Sequence, residues 1–276
     1  TNSWTPPTPS GTEIIRDKAS IETWAAFALD QWSLDERLTM TAGVRQYFVD
    51  GNLEYTDRPS LQQGNLEDDN KLIGTLGLVW DYSDDTRLRV NVAQGYVYPS
   101  LMQLATGAYA GSSFVNPDPN LKPETSMDYE AGMRMQKNAW VLDATAFYTQ
   151  SKDYIHHQSC TADDNCLSAR DRRYLNIGKS NAHGIELYLS WLDAPLNLQP
   201  YANLTWMKRQ NELETFTTWD SGVPGLSGRI GLRWQGEQIS VPELWTDIYL
   251  RGETRSDLEE VDTVRSELDA KKSWVT

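Results

Sequence analysis

Long apolar runs are missing from this chain. No stretch of about 18 consecutive apolar residues occurs, so the sequence encodes no transmembrane helix. Mean hydropathy is −0.58. The opening TNSWTPPTPSGTE lacks the charged and apolar regions of a signal peptide. Histidine is scarce, with 3 in 276 residues. No nucleophile–base spacing is visible, so neither an enzyme nor a cofactor is expected. Positive charge is short as well: 25 Lys and Arg face 39 Asp and Glu, a net charge of −14. That balance argues against a nucleic-acid partner, whose phosphates must be neutralised. Phenylalanine is outnumbered, 5 against 11 Trp and 13 Tyr. Trp and Tyr have an apolar body and a polar tip and suit wet–dry boundaries. None of these absences excludes a membrane β-barrel, whose strands alternate and never raise the mean hydropathy.

Cysteine is nearly absent too. Cys160 and Cys166 stand in HHQSCTADDNCLSARDRR, with a polar, turn-rich segment between them. A local disulfide is expected, and it implies an oxidising compartment. The alternatives are incidental thiols, or a metal pair with His156 and His157, whose spacing is not a zinc pattern.

What is present is period-two alternation. Leu72, Leu76, Leu78, Trp80 and Tyr82 share one parity, with Lys71, Thr75 and Asp81 on the other. Leu88, Val90 and Val92 oppose Arg87, Arg89 and Asn91, and Tyr129, Ala131, Met133 and Met135 oppose Asp128, Glu130 and Arg134. Similar patterns run over 37–45, 184–191 and 229–234. The apolar parity points either into a soluble core or out to lipid.

The connections favour lipid. Short links at 33–36, 83–86, 136–139, 192–195 and 235–238 alternate with long ones near 48–70, 98–124, 156–172, 210–225 and 252–272. Antiparallel neighbours joined in this way put all short turns at one end and all long loops at the other, as in outer-membrane barrels. Trp32, Trp80, Tyr82, Trp140, Trp191 and Trp234 stand near short turns, as an interfacial girdle would. About ten strands are expected, with another starting at KKSWVT. So few would leave unpaired edges in lipid. The chain is therefore expected to be a fragment, with residues 1–18 an extracellular loop or irregular lead-in and 19–276 a partial barrel.

Four stretches carry a resemblance: QGYVYPSLMQL (94–104), NPDPNLKPETSMDYEAGMR (116–134), ATAFYTQSKDYI (144–155) and YLNIGKSNAHGIEL (174–187). In this order they resemble the C-terminal half of the barrel of TonB-dependent outer-membrane receptors. Positions that match the family's pattern are Pro99, Asn116, Pro117, Asn120, Leu121, Pro123, Glu124, Glu130, Gly132, Asn176, Gly184 and Glu186. The resemblance implies an all-β, antiparallel, up-and-down barrel of about 22 strands, of which ten to eleven lie here. It implies location in the outer membrane of a Gram-negative bacterium, in contact with outer-membrane lipid. It also implies uptake of a ferric siderophore, energised by a TonB–ExbB–ExbD complex that would act through an N-terminal region. No plug domain, TonB box or final aromatic strand is recognised in the sequence. Two departures stand out. Val97 and Tyr98 precede Pro99 where many members carry a basic residue, and 101–116 contains no His. The second disfavours haem and leaves vitamin B12 or a glycan as alternatives. Readings from other classes are a passive outer-membrane barrel and a soluble glycan-binding β-protein.

Anionic chelates are held by Arg and by aromatic rings. Arg170, Arg172 and Arg173 form the densest basic cluster, set against pairing with Asp163, Asp164 and Asp171. Tyr96, Tyr98 and Tyr109 lie at or beside one long loop and Trp219 in another, with interface packing as the competing role. Arg45, Arg87, Arg89 and Arg134 are expected in charge ladders across a wet wall.

Overall fold

A computed structural model describes residues 16–57, 64–110, 113–160, 166, 170–212, 216–236, 243–256 and 274–275. One sheet organises them. Its main path runs β1 (Asp17–Ser33), β2 (Leu38–Thr56), β3 (Gly64–Ser83), β4 (Thr86–Val97), β7 (Glu124–Lys137), β8 (Trp140–Ser159), β9 (Arg172–Trp191), β10 (Leu198–Glu212), β12 (Leu226–Gln235), β13 (Trp245–Glu253) and β14 (Trp274–Val275). Each strand on the path is antiparallel to the next. Three short strands lie off it: β5 (Ala108–Ala110), β6 (Ser113–Asn116) and β11 (Thr217–Thr218). The sheet is not closed.

Register turns the alternation into two faces. Met40, Leu78 and Val90 align across β2–β4, and Ala144, Leu187 and Leu204 across β8–β10. This face is exposed and apolar, with Leu76, Ile185, Ile230 and Leu250 all open. Soluble monomers rarely leave so continuous an apolar band uncovered, and such a band marks a membrane or protein interface. Trp140 stacks on Trp191 at 5.5 Å and Trp80 meets Tyr82 at 5.2 Å at the short-turn end, forming the expected girdle. The sheet therefore spans a membrane with its apolar parity outward.

The inward face is polar and paired. Arg87 meets Asp81 at 2.6 Å, and Arg89 and Arg134 share Asp143 at 2.6 and 3.7 Å. Arg45 departs from the expected ladder. Phe27 lies directly across from it, and its guanidinium sits 5.0 Å from that ring and 5.6 Å from that of Tyr47. No carboxylate faces it on that neighbouring strand, so a cation–π contact takes the place of an ion pair.

Strand lengths also differ from expectation. Residues 48–56 and 64–70 continue β2 and β3 as a paired hairpin instead of forming a long loop. Strands of 17 to 20 residues overshoot the roughly 10 that cross a bilayer. Beyond the lipid both faces are wet, so the ladder persists where the alternation does not. The link after Gln235 reaches Trp245, longer than 235–238, and is closed by Gly236 N–H donating to the Leu244 carbonyl at 2.8 Å. Residues 237–242 within it lie outside the described residues.

Candidate functional site

At the long-loop end, residues 98–123 fold back over the sheet. Leu101, Leu104 and Ala105 are spaced three and four apart, which favours one helical turn. A short π-helical turn, Met102–Thr106, forms there. Leu104 and Ala105 pack with Leu53, Leu66, Leu121 and Ile155 into a buried cluster, with Tyr98 and Tyr174 against it. Leu104 is only 1% exposed. Gly107 ends the turn with φ 63°, where an added Cβ would lie 2.6 Å from the Val115 carbonyl oxygen. The β5–β6 hairpin follows.

The motif residues clamp this loop down. The Asn176 side chain accepts from Lys122 N–H at 2.8 Å. It donates to the Lys122 carbonyl at 2.9 Å and the Asp153 carbonyl at 2.6 Å. Asp153 has φ 54°, so the ladder is bent there and its carbonyl needs another donor. Glu124 accepts the Ile155 N–H at 2.8 Å. Asn120 N–H donates to Asp118 Oδ1 at 2.9 Å, and Asp118 N–H to the Gln103 carbonyl at 2.8 Å. Pro99 and Leu121 are buried, and Pro117 and Pro123 flank this segment without backbone donors to satisfy. Gly132 leaves room for the Arg89 guanidinium, which an added Cβ would approach to 2.7 Å. Glu130 and Glu186 stand exposed on the inward wall.

A second set of contacts stitches this loop to the next. β6 pairs in parallel with β9, Val115 opposite Arg172 and Asn116 opposite Arg173. Asn116 Nδ2 donates to the Arg172 carbonyl at 3.0 Å. Asp171 Oδ1 accepts Phe114 N–H at 3.3 Å, and the Asp171 carbonyl accepts Cys160 N–H at 2.9 Å. Cys160 and Cys166 form the expected disulfide, S–S 2.01 Å. Arg170, Arg172 and Arg173 are thereby held next to the hairpin that carries Tyr109. That ring is 77% exposed and packs edge-on to Phe114 at 5.1 Å.

The other aromatic candidates make contacts of their own. Tyr96 donates its hydroxyl to Asp69 at 2.8 Å and lies 5.1 Å from Tyr47. Tyr98 packs against the buried cluster. Trp219 meets His183 at 6.0 Å, and His183 meets Trp206 at 5.8 Å, a row that belongs to the outward face. Asp163 and Asp164 lie outside the described residues, whereas Asp171 accepts the Phe114 N–H on Oδ1 and the Cys160 N–H on its main-chain carbonyl. Sequence reasoning named Asp171 only as a partner for the arginines and missed Leu104, Gly107 and Phe114; only the three-and-four spacing around Leu104 signalled any of the three.

Burial raises the Glu124 carboxyl above the ordinary carboxylate range, and the Ile155 N–H partly offsets this. Glu124 lies at the outer end of β7, beyond the apolar band. A raised folded value means that its contribution is complete below the unfolded value. It is lost as pH rises through the folded one. Glu124→Gln keeps an acceptor for Ile155 and carries no charge. Thermal unfolding in detergent should favour the variant at about pH 8 and show little difference at about pH 4.

The TonB dependent receptor-like β-barrel family model matches residues 1–274. The chain is 30% identical over 178 residues to the pesticin receptor of Yersinia pestis, covering 63% of this chain and 24% of that protein. It is 25% identical over 241 residues to the ferrienterobactin receptor of Escherichia coli K12, covering 79% of this chain and 32% of that protein. The chain thus spans a quarter to a third of these relatives' length. Among solved structures, the copper transporter OprC superposes with TM-score 0.72 at 16% identity, over 93% of this chain and 38% of that one. The ferric yersiniabactin uptake receptor FyuA of Yersinia pestis does so with TM-score 0.61 at 20% identity, over 95% and 38%. With the outward apolar band, the short-turn girdle and the clamped outer loops in place, these matches identify the chain as a member of the TonB-dependent receptor β-barrel family, an outer-membrane barrel of Gram-negative bacteria.

Proposed function

We propose that the chain is the C-terminal part of a receptor barrel that takes up a ferric siderophore, driven by a TonB–ExbB–ExbD complex acting through a region outside this sequence. Residues 19–276 form the partial barrel in this reading and 1–18 its lead-in. One observation supports it most: the parallel bridge of Val115 and Asn116 to Arg172 and Arg173 holds an arginine-rich turn beside the exposed Tyr109 at the long-loop end. Guanidinium groups give anionic chelates bidentate, charged hydrogen bonds, and a ring beside them offers a stacking surface. Tyr96, Tyr98 and Trp219 would then shape or anchor the outer rim. The relatives' names point the same way, since one is a ferrienterobactin receptor. Haem, vitamin B12 and glycans are the competing cargoes, and the absence of His from 101–116 speaks against haem.

Growth promotion by a siderophore panel, in a strain carrying the complete gene, tests the cargo. Replacing Arg170, Arg172 and Arg173 with Ala should lower uptake of the responding anionic chelate by one to two orders of magnitude, at about 1.5–3 kcal/mol per charged hydrogen bond and partial redundancy. Unchanged uptake with normal surface levels would remove the arginine site.

A further inference from the structure

We infer that Arg229, Arg233 and Tyr249, on the inward wall at its short-turn end, form a second anion site, one that receives the chelate as it leaves the barrel. The inference rests on the proposed function in taking the cargo to be an anionic chelate. The site itself is argued from the wall.

Two guanidinium groups share one carboxylate there. Asp247 Oδ2 accepts from Arg229 Nη2 at 2.9 Å and from Arg233 Nε at 3.4 Å, and Asp247 Oδ1 accepts the Tyr201 hydroxyl at 2.8 Å. Among the described residues no other carboxylate pairs with either arginine. Arg87 and Asp81, by contrast, pair one to one. A guanidinium carries five N–H groups, and Asp247 takes one from each. One positive charge and most of the donors are left over, in a chain whose net charge is −14.

Aromatic rings hold these cations without neutralising them. The Arg229 guanidinium lies 3.6 Å from the centre of the Tyr249 ring, and that of Arg233 lies 4.6 Å from the centre of the Tyr201 ring. Tyr201 is buried and rests on Gly231, where an added Cβ would collide with the ring. An arginine fixed by stacking is pre-organised, and its planar fork offers bidentate hydrogen bonds to carboxylate, catecholate or phosphate oxygens. The Tyr249 ring is half-exposed and offers a flat surface beside them. Arg89 and Arg134 also share one aspartate, but there Thr145 takes a further bond and no ring lies against either guanidinium among the described residues.

Position completes the argument. Arg233 is two residues before the end of β12, Asp247 two after the start of β13 and Tyr201 three after the start of β10. The cluster therefore stands at the opposite end of the wall from the arginine turn at 170–173. Glu130 and Glu186 are exposed on the inward wall and repel an anion. A cationic stop at the inner end gives a descending anion a destination.

The test uses the complete receptor in detergent, with Arg170, Arg172 and Arg173 already replaced by Ala so that the outer turn does not contribute. The probe is the fluorescent trianion methoxypyrenetrisulfonate, and binding is read as anisotropy. This protein should show a saturable step that weakens as salt is raised. Adding Arg229→Gln, Arg233→Gln and Asp247→Asn removes all charge from the cluster and keeps polar groups in place. The step should then weaken on the order of tenfold. Heat-modified gel mobility checks folding. Should that variant fail to fold, Tyr249→Leu, which leaves both ion pairs with Asp247, is read instead and should weaken the step severalfold. No saturable step, or a step that these substitutions leave unchanged, overturns the site; the first result would mean that another part of the receptor already neutralises the arginines. A second arm restores the outer arginines. The neutral cluster should slow energised uptake of the anionic siderophore that supports growth by about fivefold, with cell-surface binding unchanged. Unchanged uptake would overturn the role in release. If no anionic siderophore is taken up, the cargo reading fails and with it the release step, while the titration still decides the site.

Discussion

Replacing Gly184 with valine abolishes the folded barrel. A Cβ at this position would lie 2.4 Å from the Trp206 carbonyl oxygen and 2.7 Å from Phe147 Cζ. The carbonyl cannot yield, because Met207 lies directly opposite Gly184 in the β9–β10 ladder and Trp206 is its neighbour. The ring cannot swing freely either, since Phe147 sits opposite Gly184 on the other side. β9 is central, paired with β8 over its whole length and with β10 over much of it. Opening either ladder within the bilayer leaves backbone groups without water to satisfy them, at several kcal/mol each. The expected result is loss of the heat-modifiable folded form from outer-membrane fractions, a destabilisation above about 4 kcal/mol. Normal levels of folded protein would show that the strand can shift to make room.

Asn176→Ala has a large effect of a different kind. It removes three hydrogen bonds that tie Lys122 and Asp153 to β9. At about 1 kcal/mol each, the clamp loses roughly 3 kcal/mol, and the Asp153 carbonyl is left at a bend without its donor. The barrel wall does not depend on these bonds. Hydrogen exchange should therefore quicken at the Lys122 amide and across 98–123, and protease should cut there, while global unfolding changes little. Asn176→Asp separates chemistry from shape: a carboxylate still accepts from Lys122 N–H but cannot donate to either carbonyl. It should behave like the alanine variant. If it behaves like the parent, the donor bonds carry no weight.

Much of the wall could be read in advance because lipid and water impose opposite preferences on alternate residues. The parity of Leu76, Leu78 and Trp80, the girdle of Trp140 and Trp191, and the Arg87 and Arg89 ion pairs all follow from that constraint. Where it lapses, so does legibility. Residues 48–56 and 64–70 remain strand above the bilayer with no alternation to announce it. Arg45 faces Phe27, a pairing that depends on register and not on local pattern. The outer loops are harder still. Pro117, Pro119 and Pro123 signal a stiff segment. Nothing local signals that Lys122 is held by an asparagine 54 residues away. Nor does the sequence around Leu104 show that its side chain will meet Leu53 and Ile155. The disulfide was legible because its ends are six residues apart and nothing apolar lies between the cysteines but Ala162.

The short parallel ladder between β6 and β9 bears on how such a receptor can diversify. The contacts it rests on span 56 and 57 residues of chain, and through Asn116 and Asp171 each loop is the backbone partner of the other. An insertion in one shifts the register offered to the other. New cargo preferences would then arise by coordinated change in both segments, and a graft of either loop alone into a related barrel would arrive without half of its support.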